Sequence, residues 1–512
     1  MPTTTNGTLN LEYYRKQARA LLNSAKSGNS PAVLRISQHA ITSRLPDLDA
    51  GNIALNDAQR AIAREQGFPN WNRFRNFIRI SSSDALERAV KFVTAALDDL
   101  AEADRILAKY PEVAHAGLTA ALVLGDADRV KSLMKFSPET LREPVGPQNW
   151  APLLYVCFSR FAGRTSSRRD SLAALGSLLL QYGADPNGSY ISENWPDNPL
   201  PCLYGATGLN NNPELGTALI DAGAILDDTE SLYHSTEHAD LECMRLLLKR
   251  GANPNGNTIF HILDRDALDA LRLLLDAGAD VRAVHDSKSQ TPLHWAVWRG
   301  RSAEIVEELI RRGVDINAVQ DDGRTAYAMA YASGQTEVAR LLAANGADTT
   351  LSPLDRFVGE YATASEEQLK QLASHLPDLK SNAGAGKMLT DLAMNHRTSA
   401  VSALLSAGAD IDSRGDHGAT ALHWACWHGY ADTVKLLLEA GASLTIQDEE
   451  FQGTPPGWFG HGLRYCPDRS GDWLGVAREL VAVGADIPKN DMPTGQPEID
   501  AFLKENGYLV KE

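Results

Sequence analysis

LLLKRGANPN, Leu246 to Asn255, is a run of leucines closed by a glycine, a small residue and a polar turn, and near variants of it recur down the chain. The variants read LLLQYGADPN at Gly183, LIDAGAIL at Gly223, LLLDAGADV at Gly278, LIRRGVDIN at Gly313, LLAANGADT at Gly346, LLSAGADID at Gly408, LLLEAGASL at Gly441 and LVAVGADIP at Gly484. Successive glycines lie 40, 28, 27, 35, 33, 62, 33 and 43 residues apart. A phrase returning at about this interval specifies a solenoid, in which each unit buries its apolar face only against its neighbours. The leucine run supplies the buried face of a second helix, and the glycine supplies the left-handed residue that ends it. The long interval between Gly346 and Gly408 leaves room for one further, eroded unit over residues 351–386, and predicts a helix pair from Leu351 to Leu376 stacked in register with its neighbours.

Two units also carry an opening phrase. Thr291-Pro-Leu-His-Trp-Ala and Thr420-Ala-Leu-His-Trp-Ala each run to a glycine, Gly300 and Gly429, before a second amphipathic stretch. Threonine and proline set the turn into the first helix, and small alanines let neighbouring helices approach. This phrase resembles the ankyrin Thr-Pro-Leu-His-x-Ala motif, and the chain is similar to ankyrin-repeat proteins of bacterial type with a small helical N-terminal segment. The resemblance implies an all-α ankyrin-repeat solenoid of about eleven units over residues 85–490. It is expected to run as one continuous superhelix with no sheet of consequence.

Residues 1–84 lack the repeat. Leu9 to Ser27 has helical periodicity, and Asp57 to Ile78 reads as two helices broken at the Gly67-Phe-Pro turn. This segment is read as a cap over the first repeat, since terminal units of a solenoid need covering. Residues 491–512 form a tail with a short helix around Pro497 to Glu505. Two insertions, 159–171 and 462–473, are expected to project from the array.

The chain is 43% hydrophobic over 512 residues, with a formal charge of -16. An acidic balance argues against nucleic acid as a partner, because phosphate contacts are built from clustered lysine and arginine. No apolar run reaches the length of a membrane span, and the N-terminus lacks the order of an export signal. The five cysteines are scattered without metal-ligand spacing and read as reduced thiols, so the expected location is cytoplasmic. No cofactor and no metal site is indicated.

The two residues that end each first helix face the concave side of an ankyrin stack. In order they are Glu237 with His238, Asp264 with Arg265, Trp298 with Arg299, Ala332 with Ser333, Met394 with Asn395, Trp427 with His428, and His461 with Gly462. His234 and His261 precede Glu237 and Asp264 by three residues, which puts each histidine and its acid on one helix face. His294 and His423 belong to the opening phrase and are read as structural; Trp295 and Trp424 are read as core. Trp298 and Trp427 are read as exposed groove anchors.

Two functions remain open at this point. One is a protein that grips a partner protein or peptide in its groove, with Trp298, Arg299, Trp427, His428, His461 and Arg265 as binding residues. The other is a small-molecule binder or a lyase, isomerase or hydrolase, with His234, Glu237, His238, His261 and Asp264 as acid and base candidates. None of these forms a metal-specific spacing, and no phosphate loop or nucleophile elbow is present in the sequence.

Overall fold

A computed structural model describes residues 11–39, 53–66, 70, 71, 74, 75, 78, 85–192, 195–285, 289–466, 470–488, 494 and 496–508. The Gly67-Phe-Pro turn lies outside these residues. The chain divides into two compact units, Met1–Pro254 and Asn255–Glu512. Both are built of short helix pairs, so the class is all-α. Among the described residues no helix is long and apolar enough to cross a membrane.

The first unit opens with helices Leu11–Lys26, Ser30–Ser37 and Leu55–Glu65. Tyr14, Ala18, Leu21, Ile36, Ile62 and Phe74 form their common core, against which Tyr110 of the following repeats also packs. Arg35 clasps Glu65 with two hydrogen bonds of 2.6 and 2.7 Å. The helix pairs that follow end at Glu242–Lys249.

Residues 159–171 do not project as expected. They form the short helix Arg160–Gly163 and the start of helix Ser166–Gln181, with Phe161 and Ala162 buried. Ser159 Oγ donates to Val123 O at 2.6 Å, and Arg164 clamps Asp104 at 2.6 and 2.8 Å while lying over the Phe161 ring. Apolar and ion-pair contacts thus draw the insertion into the stack. A two-stranded antiparallel hairpin, Ser189–Ser192 with Trp195–Pro201, is the sheet seen among the described residues. Pro196, Pro199 and Pro201 break any helix there, and prolines are tolerated in a two-stranded ribbon whose outer edges need no donor.

In the second unit the opening phrase works as a helix start. Thr291, Thr325, Ser352 and Thr454 each accept a hydrogen bond from the backbone N–H three residues on. Behind them Leu271, Leu274, Ile305, Leu309, Leu342, Leu404, Leu437 and Leu480 are fully buried, as the leucine runs require. First helices pack on first helices along most of the unit: Thr258–Leu263 on Pro292–Trp298, that helix on Ala326–Ala332, and Ala421–His428 on Pro455–Tyr465.

The rule changes in the stretch 351–386. Its two helices are Pro353–Glu360 and Glu366–Ala373. The first lies against Ala326–Ala332 on one side, so tightly that a side chain at Gly359 would collide with Tyr331. On its other side its main contact is the second helix of the next pair, Thr398–Ser406. Glu366–Ala373 buries no residue fully. The pair is present, but the in-register stacking expected for it is replaced by a change of partner. Within this unit the Arg299 turn and the Met394 turn, three repeats apart in the ladder, then meet: Arg299 Nη1 lies 3.7 Å from Met394 Sδ, and the Arg397 guanidinium rests on Gly300.

Candidate functional site

Each repeat contributes the same two positions to the inner side of the stack, four and seven residues after its opening Thr or its equivalent. In the second unit the first position holds His261, Trp295, Met329, Arg356, Asp391, Trp424 and Trp458. The second holds Asp264, Trp298, Ala332, Gly359, Met394, Trp427 and His461. Aromatic residues therefore gather at the two ends of this row, and two cavities form there.

The first cavity, of about 650 Å3, is walled by Trp424, Trp427, Trp458, Phe451, His417 and His461. Its rings meet edge to face: Trp424 and Trp458 at 5.0 Å and Trp427 and Trp458 at 5.9 Å, with His461 tilted on Trp427 at 5.5 Å. Buried Asp448 organises the rim, accepting from Trp458 Nε1 at 2.9 Å and from the N–H groups of Gly453 at 2.7 Å and Glu450 at 2.9 Å. Burial opposes charge on Asp448, but these donors hold its carboxyl below the usual range. Phe451, 63% exposed, stands at the mouth. Space for the cavity comes from Gly457, which occupies the place that His294 and His423 fill in the other phrases.

Those histidines are structural, as expected. His423 Nδ1 accepts from Thr420 N–H at 3.0 Å, so Nε2 carries the proton and donates to Gly453 O at 3.1 Å. Burial lowers the pKa of both, which suits a neutral ring.

The second cavity, of about 890 Å3, shares His417, Trp424 and Trp427 with the first and extends between the Trp298–Arg301 turn and the Met394–Arg397 turn. Asp264 holds one side of it together, accepting from Trp295 Nε1 at 3.0 Å and Arg299 Nε at 2.8 Å. Its carboxyl lies below the usual range: burial pushes it up, but His261, Arg299 and Trp295 together outweigh burial. Opposite, His396, Tyr430 and His428 form a stacked column, with centroids 4.1 and 5.2 Å apart. His396 Nε2 is bound to Asp432 Oδ1 at 2.7 Å.

These positions correct two readings. Trp298 is not an exposed anchor but is 8% exposed, because the Arg299 guanidinium lies 4.3 Å over its ring and the facing turn closes over that guanidinium. Trp424 is not core; it is partly exposed and walls both cavities. Trp427, Arg299, His428 and His461 line cavities, whereas Arg265 turns to His261 Nε2 at 3.2 Å and lines neither. Trp458, Phe451, His417 and Arg397 escape a reading of the row pairs.

The acid and base candidates fall in both units. In the first, His234 lies 3.0 Å from Glu237 through Nδ1 and 3.3 Å from Glu230 through Nε2. Burial, the largest single effect, opposes its charge, but the two carboxylates together raise its pKa to about 9. A ring with both nitrogens bearing protons toward carboxylates cannot act as a base at neutral pH. His238 Nε2 is 2.7 Å from Gly208 O. In the second unit His261 and Asp264 are 3.9 Å apart, with Asp264 committed to Trp295 and Arg299.

Comparison with known proteins agrees with the repeat architecture. A family model described as ankyrin repeats (3 copies) matches residues 259–352 and 361–448. The chain is 27% identical over 312 residues to the E3 ubiquitin-protein ligase KEG of Arabidopsis thaliana, covering 55% of this chain and 17% of that protein. It is 26% identical over 260 residues to human rabankyrin-5, covering 48% and 19%. It is 29% identical over 170 residues to the nuclear factor NF-kappa-B p105 subunit of Gallus gallus, covering 31% and 17%. The chain thus spans less than a fifth of the length of each. All three are eukaryotic, so the bacterial kinship expected from the N-terminal segment has no counterpart among them.

Proposed function

We propose that this chain is a binding protein that holds a segment of a partner polypeptide by seating one of its ring-bearing side chains among Trp424, Trp427 and Trp458. Ankyrin repeats are in general protein-interaction modules. The observation that carries the reading here is the rigid aromatic cavity with an exposed phenylalanine at its mouth. Aromatic walls that lose little entropy on binding are typical of hot spots. The cytoplasm is the proposed location, supported by five buried cysteines without a disulfide. The proposed partner is a protein rather than nucleic acid, in keeping with the charge of -16.

The contact of the Arg299 and Met394 turns favours a second reading, a small ring-bearing ligand, because it walls off part of the inner surface into a cavity. Selection of random peptides on the intact chain separates the two. Peptides centred on an aromatic residue should emerge and should lose about tenfold or more in affinity against Trp427→Ala. Selected peptides that bind the Trp427→Ala and Trp458→Ala variants as well as the parent chain would sink the polypeptide reading.

A further inference from the structure

The second cavity contains three arginines whose charges are unequally answered. Arg299 is paired with Asp264 at 2.8 Å. Arg301 spends its donors on neutral carbonyls, Nε to Arg299 O at 3.2 Å and Nη1 to Asp264 O at 3.3 Å. The Arg397 side chain makes no hydrogen bond or ion pair among the described residues, and its Nε is buried without an acceptor. The carboxylates of the wall are Asp264, already committed to Arg299 and Trp295, and Asp416, whose field acts on Lys387. The acid nearest His396, Asp432, is bound to that ring and to Thr398.

Arg301 and Arg397 occupy the same position of their repeats, ten residues after the opening, where the next repeat has Tyr430. Burial lowers the pKa of both, and in Arg397 the field of Tyr430 is the opposing influence. Withdrawing a guanidinium from water without an anion is costly, and adding the anion recovers that cost. A planar guanidinium is also the group best shaped for a carboxylate.

We infer that the cavity between the Arg299 and Arg397 turns receives an acidic side chain of the bound segment against Arg397, so that the recognised sequence places an acidic residue beside its aromatic anchor. This rests on the proposed polypeptide binding. His417, Trp424 and Trp427 form the common wall of the two cavities, so the place for the ring and the place for the carboxylate adjoin across that wall.

Two capped peptides, Gly-Glu-Trp-Glu-Gly and Gly-Gln-Trp-Gln-Gly, titrated calorimetrically into the intact chain, test the inference. The glutamate peptide should bind about tenfold more tightly. In Arg397→Gln that preference should vanish while the glutamine peptide binds as before, and Arg397→Lys should keep part of it. A parallel titration with inorganic phosphate, followed by tryptophan fluorescence at constant ionic strength, should saturate the parent chain and not Arg397→Gln. Saturation by phosphate alone, with neither peptide bound, would uphold the anion site and remove the polypeptide reading. A glutamate preference that survives in Arg397→Gln, or an identical phosphate response in parent and variant, overturns the inference. Arg397→Gln should melt cooperatively at or above the parent temperature, since a desolvated charge is removed; if Arg397→Gln fails to fold, the Arg397→Lys and Arg397→Met pair decides by the same ratio.

Discussion

The Trp458 indole N–H donates to Asp448 Oδ2 at 2.9 Å, and through that one carboxylate the opening of the last repeat is tied to the loop that frames the tryptophan cavity. The same side chain takes N–H groups from Glu450 and Gly453, so it fixes both the wall and the rim. Replacing Asp448 with alanine leaves a buried indole donor and loop amides without acceptors. The expected loss is about 2–4 kcal/mol of stability, with reduced affinity for any ring-bearing ligand. Asp448→Asn should recover part of both, because it keeps an acceptor oxygen; denaturant unfolding of the two variants checks the order.

His234 makes the first unit sensitive to base. Its folded pKa, about 9, lies above the ordinary value of 6.5, so its contribution to stability is full below about 6.5 and is lost as pH rises through about 9. Melting temperature measured from pH 6 to 10 should decline across that interval. In His234→Gln the decline should be smaller, and the loss at pH 6 should be about 2 kcal/mol, since Glu230 and Glu237 then face each other without a cation. An unchanged profile in the variant would assign the decline elsewhere.

Glu308 is the acid-side counterpart in the second unit. Arg311, Arg312 and Arg272 surround its carboxyl, and the hydrogen bond from Arg311 leads in lowering its pKa to about 2 against the opposing effect of burial. A depressed folded pKa gives stability that is present above the ordinary 4.5 and is lost as pH falls through about 2. Glu308→Gln should cost about 1–2 kcal/mol at pH 7 and little at pH 2, read by urea unfolding at both values.

The repeat was legible in the chain because the Gly-Ala-Asp phrase and the Thr291 and Thr420 openings are each local, and local signals survive whatever the rest of the array does. Trp427, His428 and His461 were found by counting back from the helix ends, and they do line cavities. The other walls were not found, since they depend on where distant repeats meet. The change of partner at Pro353–Glu360 buries Trp298 and brings Arg397 against Gly300, and no period in the sequence announces it. Two signals were present but unread. Trp458 stands in the same row as Trp295 and Trp424, and Gly457 replaces the phrase histidine beside it. His396 takes the left-handed site that glycine holds at Gly300 and Gly429, an unusual residue there that marks the Arg397 turn.

Trp298 and Trp427 occupy one repeat position yet should respond oppositely to truncation. Trp298 is sealed beneath Arg299 and the Met394 turn, so Trp298→Ala opens a void in a packed interior and should cost about 3–5 kcal/mol. Trp427 has one face in the cavities, with Trp458 and His461 around it, so Trp427→Ala removes less packing and should cost about 1–2 kcal/mol. Ligand affinity should follow the reverse order once the Trp298 variant is assayed at a temperature where it remains folded. Thermal unfolding paired with binding on the same preparations checks both halves: equal destabilisation by the two substitutions would mean that the Trp427 cavity closes in solution, and the binding site would then have to be sought away from the tryptophan row.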